Sequence, residues 1–277
     1  MDTKFSVLMS VYKGEKTEFF QEAMESVLNQ TVVPDEIVLI RDGIVYDELQ
    51  AAIDYYVDEY SNLVTYIPLE ANRGLGNALN AGVLAARNEL IARMDTDDIC
   101  VPDRFEKQLS YMNNHSDISV CGGQICEFVD SKDQVAGIRK VPEDNAAINS
   151  FIRSRNPFNH MTVMFRKSDV LKAGNYLDMH YVEDYYLWCR MLINGCQFGN
   201  LGNVLVYARI GKDMYRRRGG YKYFCSWKQL EKFKKDNGII NWGRYMRTLT
   251  MRFIVQVLTP NFLRGMIMKR FARKSKL

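Results

Sequence analysis

The feature that most constrains the fold is an alternation of strand-length apolar runs with segments of helical period. Apolar runs occupy residues 5–11, 37–40, 64–68 and 90–94. The segments between them have helical character and cover residues 16–30, 47–60 and 75–86. Strands that alternate with helices predict βαβ units, and therefore a mostly parallel sheet with helices on both faces.

Polar clusters follow three of these strands, at the point where each strand ends. Residues 10–14 follow the first strand, residues 41–43 follow the second, and residues 95–98 follow the fourth. In an open α/β sheet, ligands bind beyond the carboxyl ends of the strands. We therefore expect these clusters to form a single site.

The fourth cluster reads Asp95-Thr96-Asp97-Asp98 and concentrates negative charge. Carboxylates in this position suit Mg²⁺ or Mn²⁺, which prefer oxygen ligands and leave positions open for phosphates. The alternative is that Asp97 or Asp98 caps a helix that starts near Pro102, where an acidic side chain is stabilising. The position after a buried strand favours the metal site.

Two further segments have the composition of a binding or catalytic element. Residues 72–80, NRGLGNALN, open a helix with glycines that let backbone amides approach an anion. They match neither a Walker A loop nor GxGxxG, and the alternative is a simple turn. Glu183 and Asp184 precede another helical segment. Either carboxylate suits a general base, or the two are ordinary acids at a helix N-terminus.

Taken in order, five segments resemble a known family. They are FSVLMSVYKG, EIVLIRDG, NRGLGNALNAGVLAARNELIARMDTDD, HMTVMFRKSDVLKAGNY and EDYYLWCRM. Together they resemble family 2 glycosyltransferases of bacterial polysaccharide assembly, over roughly residues 4–210. The resemblance implies an α/β protein with the GT-A fold, in which a mostly parallel Rossmann-like sheet is flanked by helices.

The resemblance also implies a division of the chain and roles for individual residues. Residues 1–211 would be the glycosyltransferase domain, with a nucleotide-binding half (1–99) and an acceptor half (100–211). The nucleotide and donor sugar would contact Ser10, Val11, Tyr12, Asp42, Asn72, Gly74, Asn77, Asp95 and Thr96. Asp97 would hold Mn²⁺ or Mg²⁺ together with Asp95, and Asp184, with Glu183 beside it, would be the catalytic base. His160 and Trp188 are predicted on the acceptor side.

One motif departs from the family pattern. Where similar enzymes have DDGS, this chain has Arg41-Asp42-Gly43-Ile44. Asp42 remains as the expected contact to the nucleotide base, and a UDP-sugar is the favoured donor.

The C-terminal region, residues 212–277, is predicted to be a basic helical extension that contacts a membrane. It contains 18 Lys and Arg against 3 Asp and Glu, whereas the rest of the chain contains 19 against 30. Its basic and aromatic residues suit an anionic bilayer surface, with Tyr245, Leu249, Phe253 and Val257 recurring at helical spacing. The alternative is a helix that covers the core. Arg216 and Arg217 are candidates for contact with a diphosphate, or are solvated surface residues.

The rest of the sequence favours a cytoplasmic protein on the inner face of the membrane. We expect no signal peptide, because residues 1–4 lead directly into a strand, and no apolar run is long enough to span a bilayer. The six cysteines form no CxxC pair, which is typical of free thiols in a reducing compartment.

The predicted function is therefore a metal-dependent, inverting glycosyltransferase with a polyprenyl-linked or oligosaccharide acceptor. Two alternatives are a sugar nucleotidyltransferase and a nucleic-acid-binding module that uses the basic tail. The first lacks a basic triphosphate loop after the first strand. The second conflicts with the acidic body and the apolar residues of the tail, so no nucleic-acid partner is expected.

Overall fold

A computed structural model of the chain describes residues 4–129, 131–132, 134–211 and 220–259. The strands are β1 Phe5–Val11, β2 Glu36–Asp42, β3 Val64–Leu69, β4 Leu90–Asp95, β5 Ile99–Cys100, β6 Ile118–Phe128, β7 Val135–Arg139, β8 Met164–Arg166 and β9 Gln197–Arg209. The helices are α1 Thr17–Leu28, α2 Asp47–Glu59, α3 Leu75–Ala85, α4 Arg104–Asn114, α5 Asn145–Phe151, α6 Lys167–Lys172, α7 Glu183–Ile193, α8 Tyr221–Asp236 and α9 Trp242–Phe253. A 3-10 turn covers His160–Thr162, and a π-helical turn covers Ile254–Leu258.

The described strands form one mixed sheet in the order β3-β2-β1-β4-β8-β6-β9-β5, with β7 paired to β6. Strands β3, β2, β1 and β4 are parallel, as the βαβ alternation predicts. The sheet becomes mixed at β8, which pairs antiparallel with both β4 and β6. The predicted α/β architecture with a helical C-terminal part is therefore confirmed.

The two faces of the sheet are covered by two separate cores. Side chains alternate along β1, so that Leu8 joins one core while Val7 and Met9 join the other. Helices α1, α2 and α4 cover the face of Val7, and α3 and α7 cover the face of Leu8. This double cover explains why the parallel strands are continuous apolar runs.

The C-terminal helices differ in their packing. Helix α8 contributes Tyr223, Trp227 and Leu230 to the core that also contains Trp188 of α7. Helix α9 has no buried side chain. Within the described residues, no helix combines the length and the apolar character that a membrane crossing requires. The six cysteines are free thiols.

The apolar stripe predicted on the last helix is wrong in one respect. Tyr245 lies on the inner side of α9, with the Lys235 ammonium 5.3 Å from the centre of its ring. Phe253 of the predicted stripe is exposed, and Trp242, Met246 and Met251 are exposed as well, whereas Leu249 and Val257 are only partly exposed. Packing against α8 covers Tyr245, and the Phe253 ring also contacts Phe224 of α8, with the two ring centres 5.4 Å apart.

Candidate active site

The parallel register places the predicted polar clusters together at one edge of the sheet. Ser10 at the end of β1 lies beside Asp95 of β4 on one side and Ile40 of β2 on the other. Val11 pairs with Arg41, which directly precedes Asp42. Tyr12 is 38% exposed, and its ring lies against Gly14 at a distance that leaves no room for a Cβ atom there.

The carboxylates of Asp95, Asp97 and Asp98 converge, with one oxygen of each within 4.8 Å of the others. A fourth acid, Glu15, lies beneath them and was not identified from the sequence. Its Oε2 accepts a hydrogen bond of 2.9 Å from the Thr96 hydroxyl, and only 9% of the residue is exposed. Thr96 therefore holds a buried acid, and its contact to the donor stays a prediction.

Crowding and burial shift the ionisation of these acids. Burial, reinforced by the charges of Asp95 and Glu15, raises the pKa of Asp97 to about 7. Burial also raises the pKa of Asp98 well above its ordinary value, and Asp97 and Asp95 add to the rise. Converging hard oxygen donors that repel one another fit a divalent cation, because a cation removes the repulsion.

The structure separates the roles of Asp97 and Asp98. Asp98 is 3% exposed and accepts a hydrogen bond of 2.8 Å from the backbone N–H of Arg209 at the end of β9. The alternative in which Asp97 or Asp98 caps a helix near Pro102 is wrong, because α4 begins at Arg104 and its N-cap residue is Asp103. Asp98 instead joins the turn of residues 95–98 to the end of β9 through this hydrogen bond.

Arg93 is a site residue that the sequence analysis missed. It lies within the apolar run of β4, is 2% exposed, and forms an ion pair with Asp95. Its Nε and Nη1 are buried and have no hydrogen-bond partner among the described residues. A charged residue inside an otherwise apolar strand, LIARMD, was the signal that could have identified it.

The loop before α3 is fastened to Asp42. The two carboxylate oxygens of Asp42 accept hydrogen bonds from the backbone N–H groups of Arg73 (2.7 Å) and Gly74 (3.0 Å). Asn72 donates to the Asp42 carbonyl at 3.1 Å, and Asn77 donates to the Arg73 carbonyl at 2.8 Å. Asp42 therefore shapes this loop, and its contact to a nucleotide base stays a prediction.

Gly43 shows why this loop sequence is specific. Its φ of +87° lies in the region that favours glycine, and a Cβ atom there would lie 2.6 Å from the Asn72 nitrogen. Arg41, the departure from the family pattern, donates to Gln50 of α2 at 2.6 Å. Its guanidinium is thereby turned toward α2, and Asp42 remains the acid at the end of β2.

Glu183 and Asp184 open α7, which the topology brings against the start of α3. A Cβ atom on Gly76 would lie 3.3 Å from the Glu183 Cβ. Burial and the neighbouring Asp184 raise the pKa of Glu183 to about 8, and Arg93 opposes this rise. Glu183 is only 7% exposed.

Asp184 has a more polar setting than Glu183. Its Oδ1 accepts from the Tyr185 N–H at 2.7 Å, and its Oδ2 accepts from the Asn156 side chain at 2.5 Å. Burial raises the pKa of Asp184, while these two hydrogen bonds and the Arg93 charge oppose the rise. Asp184 is half-buried, so it is the more accessible acid of the pair.

The residues predicted on the acceptor side lie in an aromatic cluster. His160 Nε2 is 3.0 Å from the Tyr176 hydroxyl, and burial and the Arg93 charge hold the pKa of His160 well below its usual range. Trp188 is fully buried behind His160 and Tyr176, so it supports the wall of the site and does not reach its surface. Arg216 and Arg217 lie outside the described residues.

The site is thus assembled from distant parts of the chain, with the buried guanidinium of Arg93 between its acidic groups. The model of the family described as "Glycosyl transferase family 2" matches residues 6–172. This chain belongs to glycosyl transferase family 2. Membership makes it a transferase and favours that activity over the nucleotidyltransferase and nucleic-acid-binding alternatives.

Two sequence relatives extend the similarity over almost the whole of this chain. The chain is 42% identical, over 94% of its length and 97% of the relative's, to the amylovoran biosynthesis glycosyltransferase AmsE of Erwinia amylovora. It is 36% identical, over 98% of its length and 97% of the relative's, to the UDP-Gal:alpha-D-GlcNAc-diphosphoundecaprenol beta-1,3-galactosyltransferase of Escherichia coli.

A solved structure supports the fold. The S. aureus protein TarS, residues 1–349 in complex with UDP-GlcNAc, superposes with a TM-score of 0.67 at 16% identity. The match covers 91% of this chain and 72% of that one. The GT-A fold expected from the sequence is therefore confirmed.

Proposed function

We propose that this family 2 glycosyltransferase moves a sugar, with inversion, from a UDP-sugar to a hydroxyl of a lipid-diphosphate-linked saccharide in cell-surface polysaccharide synthesis. The observation that carries the proposal is the meeting of two acidic groups around Arg93. Asp95 and Asp97 come from the end of β4, and Glu183 and Asp184 come from α7. Inverting transfer needs this arrangement, with a base on one side of the donor and charge stabilisation on the other.

Asp184 is assigned as the base, which takes the proton from the attacking acceptor hydroxyl. It is the more accessible acid, and its two hydrogen bonds hold it in one orientation. Glu183 has a pKa of about 8 and stays largely protonated at neutral pH, so it is the weaker candidate. Because Glu183 is largely protonated, it adds little negative charge beside Asp184.

Asp97 and Asp95 are assigned as the ligands of Mn²⁺ or Mg²⁺. When bound, the cation supplies electrostatic stabilisation of the departing diphosphate. One oxygen of Asp98 accepts from the Arg209 amide, and one oxygen of Glu15 accepts from Thr96. These two acids shape the turn and add to its negative charge.

The nucleotide is assigned to the ends of β1 and β2 and the loop before α3. Ser10, Val11 and Tyr12 line the first strand end, and Asp42 fixes the backbone of residues 72–74 beside them. The preference for uridine is supported by the E. coli relative, whose name specifies UDP-Gal, and by TarS with UDP-GlcNAc.

The acceptor and the location are assigned from the C-terminal helix and the same relative. The E. coli relative acts on a diphosphoundecaprenol-linked sugar, according to its name. Helix α9 exposes Trp242 (67%), Met246 (41%) and Phe253 (39%), with Arg247 exposed nearby. Apolar side chains beside arginine suit the surface of an anionic bilayer, which supports a peripheral location on the cytoplasmic face.

The proposal is tested by transfer assays with UDP-galactose, UDP-GlcNAc, UDP-glucose and GDP-mannose. The acceptor is a synthetic GlcNAc-α-diphosphoryl lipid in anionic vesicles, with Mn²⁺ or with EDTA. We expect UDP release and a β-linked product from one UDP-sugar only, and only with the metal. An α-linked product or transfer in EDTA would contradict the mechanism.

Asp184→Asn tests the base. We expect kcat to fall by about 10³-fold or more, because an amide cannot take the proton, while UDP-sugar binding changes by less than about twofold. Asp178→Asn is the matched control, because Asp178 is an exposed aspartate on the preceding loop. Wild-type transfer by Asp184→Asn would remove Asp184 from the role.

A further inference from the structure

A buried lysine on the C-terminal helix α8 contacts the segments that hold the proposed base. Lys234 is fully buried. Its Nζ donates to Glu231 Oε1 at 2.8 Å, to the Tyr185 hydroxyl at 3.0 Å and to the Arg153 carbonyl at 3.0 Å. An ammonium has three N–H donors, so all of them are used.

Stability alone does not account for this ion pair. Two charges removed from water lose their hydration, and well-packed apolar residues in their place are often as stable. Glu231 is 1% exposed, and its Oε2 has no hydrogen-bond partner within the described part of the chain. Burial lowers the pKa of Lys234, and the charge and hydrogen bond of Glu231 oppose this shift. Because burying the Lys234–Glu231 pair removes both charges from water, the pair is not explained by its effect on stability, and the three contacts of Lys234 point to another role.

The contacts of Lys234 lead to Asp184 from two sides. Tyr185 follows Asp184 in α7, and its N–H donates to the Asp184 carboxylate. The Tyr185 hydroxyl also donates to the Ile152 carbonyl at 2.5 Å. Residues 152–156 in turn carry Asn156, which donates to the other Asp184 oxygen. Lys234 therefore binds both segments that orient this carboxylate.

We propose that Lys234 is a positioning residue of the transfer reaction, which fixes Asp184 by tying the first turn of α7 and residues 152–156 to helix α8. The inference rests on the proposed function, because it takes Asp184 as the base. It makes α8, which lies outside residues 6–172 of the family match, part of the catalytic apparatus. Arg252 of α9 lies 3.0 Å from the ring centre of Trp227 on α8, so the exposed helix is joined to the same support.

Lys234→Met tests the proposal with UDP-galactose and the diphosphoryl-lipid acceptor. We expect kcat to fall by about tenfold or more while KM for UDP-galactose changes by less than about twofold, because the nucleotide site lies on other elements. Lys232→Met is the matched control on the same helix, since Lys232 is exposed and pairs with Asp236 at 2.6 Å. Equal kcat values for Lys234→Met and the wild type would overturn the proposal.

A double-mutant cycle separates positioning from general loss of stability. Asn156→Ala removes the other support of Asp184, and the combined Asn156→Ala and Lys234→Met variant is compared with each single change. If both act through the orientation of Asp184, the double variant is about as slow as the slower single variant. Multiplying effects would mean independent damage and would contradict the inference.

Two further measurements keep the inference testable if Lys234→Met does not fold or the chosen sugars are not transferred. Tyr185→Phe removes one hydroxyl of the network and is expected to lower kcat by about fivefold; a wild-type kcat would overturn the inference.

Hydrogen exchange of the amide at position 185 needs no substrate. We expect it to be faster in Lys234→Met and in Tyr185→Phe than in Lys232→Met, and equal rates would also overturn the inference. A wild-type protein that transfers none of the sugars would refute the proposed function alone.

Discussion

Arg93 favours the ionised form of the carboxylates in this site. It pairs with Asp95, and its charge lowers the pKa of Asp97, Asp98, Glu183 and Asp184 against the larger effect of burial. Without a cation between them, the acids of β4 and of α7 would suppress each other's ionisation. One buried guanidinium thus lets the proposed metal site and the proposed base share a small space.

Metal binding should depend on pH through Asp97. Burial and the charges of Asp95 and Glu15 raise its pKa to about 7, so below that pH a proton competes with the cation. The folded metal-free protein binds this proton more tightly than the unfolded chain does. Its contribution to stability is therefore lost as pH rises from about 4 to about 7.

We expect Mn²⁺ affinity to fall by about tenfold per pH unit below about pH 7 and to level off above it. The measurement is Mn²⁺ binding by electron paramagnetic resonance between about pH 5.5 and about pH 8.5. Asp97→Asn should bind Mn²⁺ much more weakly at every pH. Affinity that is independent of pH would contradict the assignment of Asp97.

At the scale of elements, the site depends on the close approach of α3 and α7. The start of α3 carries the loop that Asp42 holds, and the start of α7 carries Glu183 and Asp184. Gly76 lies between them, where a Cβ atom would be 2.6 Å from the Leu177 carbonyl oxygen. No side chain fits there unless backbone moves.

Gly76→Ala should therefore impair both halves of the site. We expect KM for the UDP-sugar to rise and kcat to fall, each by about tenfold, because the loop before α3 and the start of α7 are pushed apart. Gly243→Ala in α9 is the matched control, since its nearest atom lies 3.8 Å from the added Cβ. A Gly76→Ala enzyme with wild-type constants would show that this contact is not needed.

The elements themselves were largely predictable, and the exceptions have physical reasons. The apolar runs 5–11 and 90–94 correspond to β1 and β4 because both faces of those strands are buried. Strand β9 extends from Gln197 to Arg209, although its continuous apolar run begins only at Val204. Its exposed residues Gly202 and Asn203 break the apolar pattern and lie in a register shift between the pairs Gly123–Leu201 and Gln124–Val204, and pairing with β6 on both sides of that shift continues the strand.

At the scale of the whole molecule, helix α9 is the proposed contact with a membrane. The exposed Trp242, Met246 and Phe253 lie on one side of the helix and are the side chains expected to enter the bilayer surface. Replacing all three by serine should lower binding to anionic vesicles by about tenfold or more, measured by sedimentation.

The matched control removes exposed apolar side chains elsewhere, with Tyr55→Ser and Leu84→Ser, which are 58% and 60% exposed. These changes should leave vesicle binding intact. Deletion of residues 241–277 should release the protein from membranes as fully as the triple substitution or more so. Undiminished sedimentation of the triple variant would show that α9 is not the contact.

The sequence by itself determined the order of the strands and helices, the acidic motifs and the family. These depend on local periodicity and on residue types at fixed spacing, which a chain carries without folding. Tertiary structure alone decided which partner each acid of the site has. It gave Asp98 to the Arg209 amide, tied Glu15 to Thr96, placed Arg93 between two acidic groups and linked Lys234 to the support of Asp184. Each of these contacts joins residues brought together by sheet register or helix packing, and only the folded chain fixes their distances.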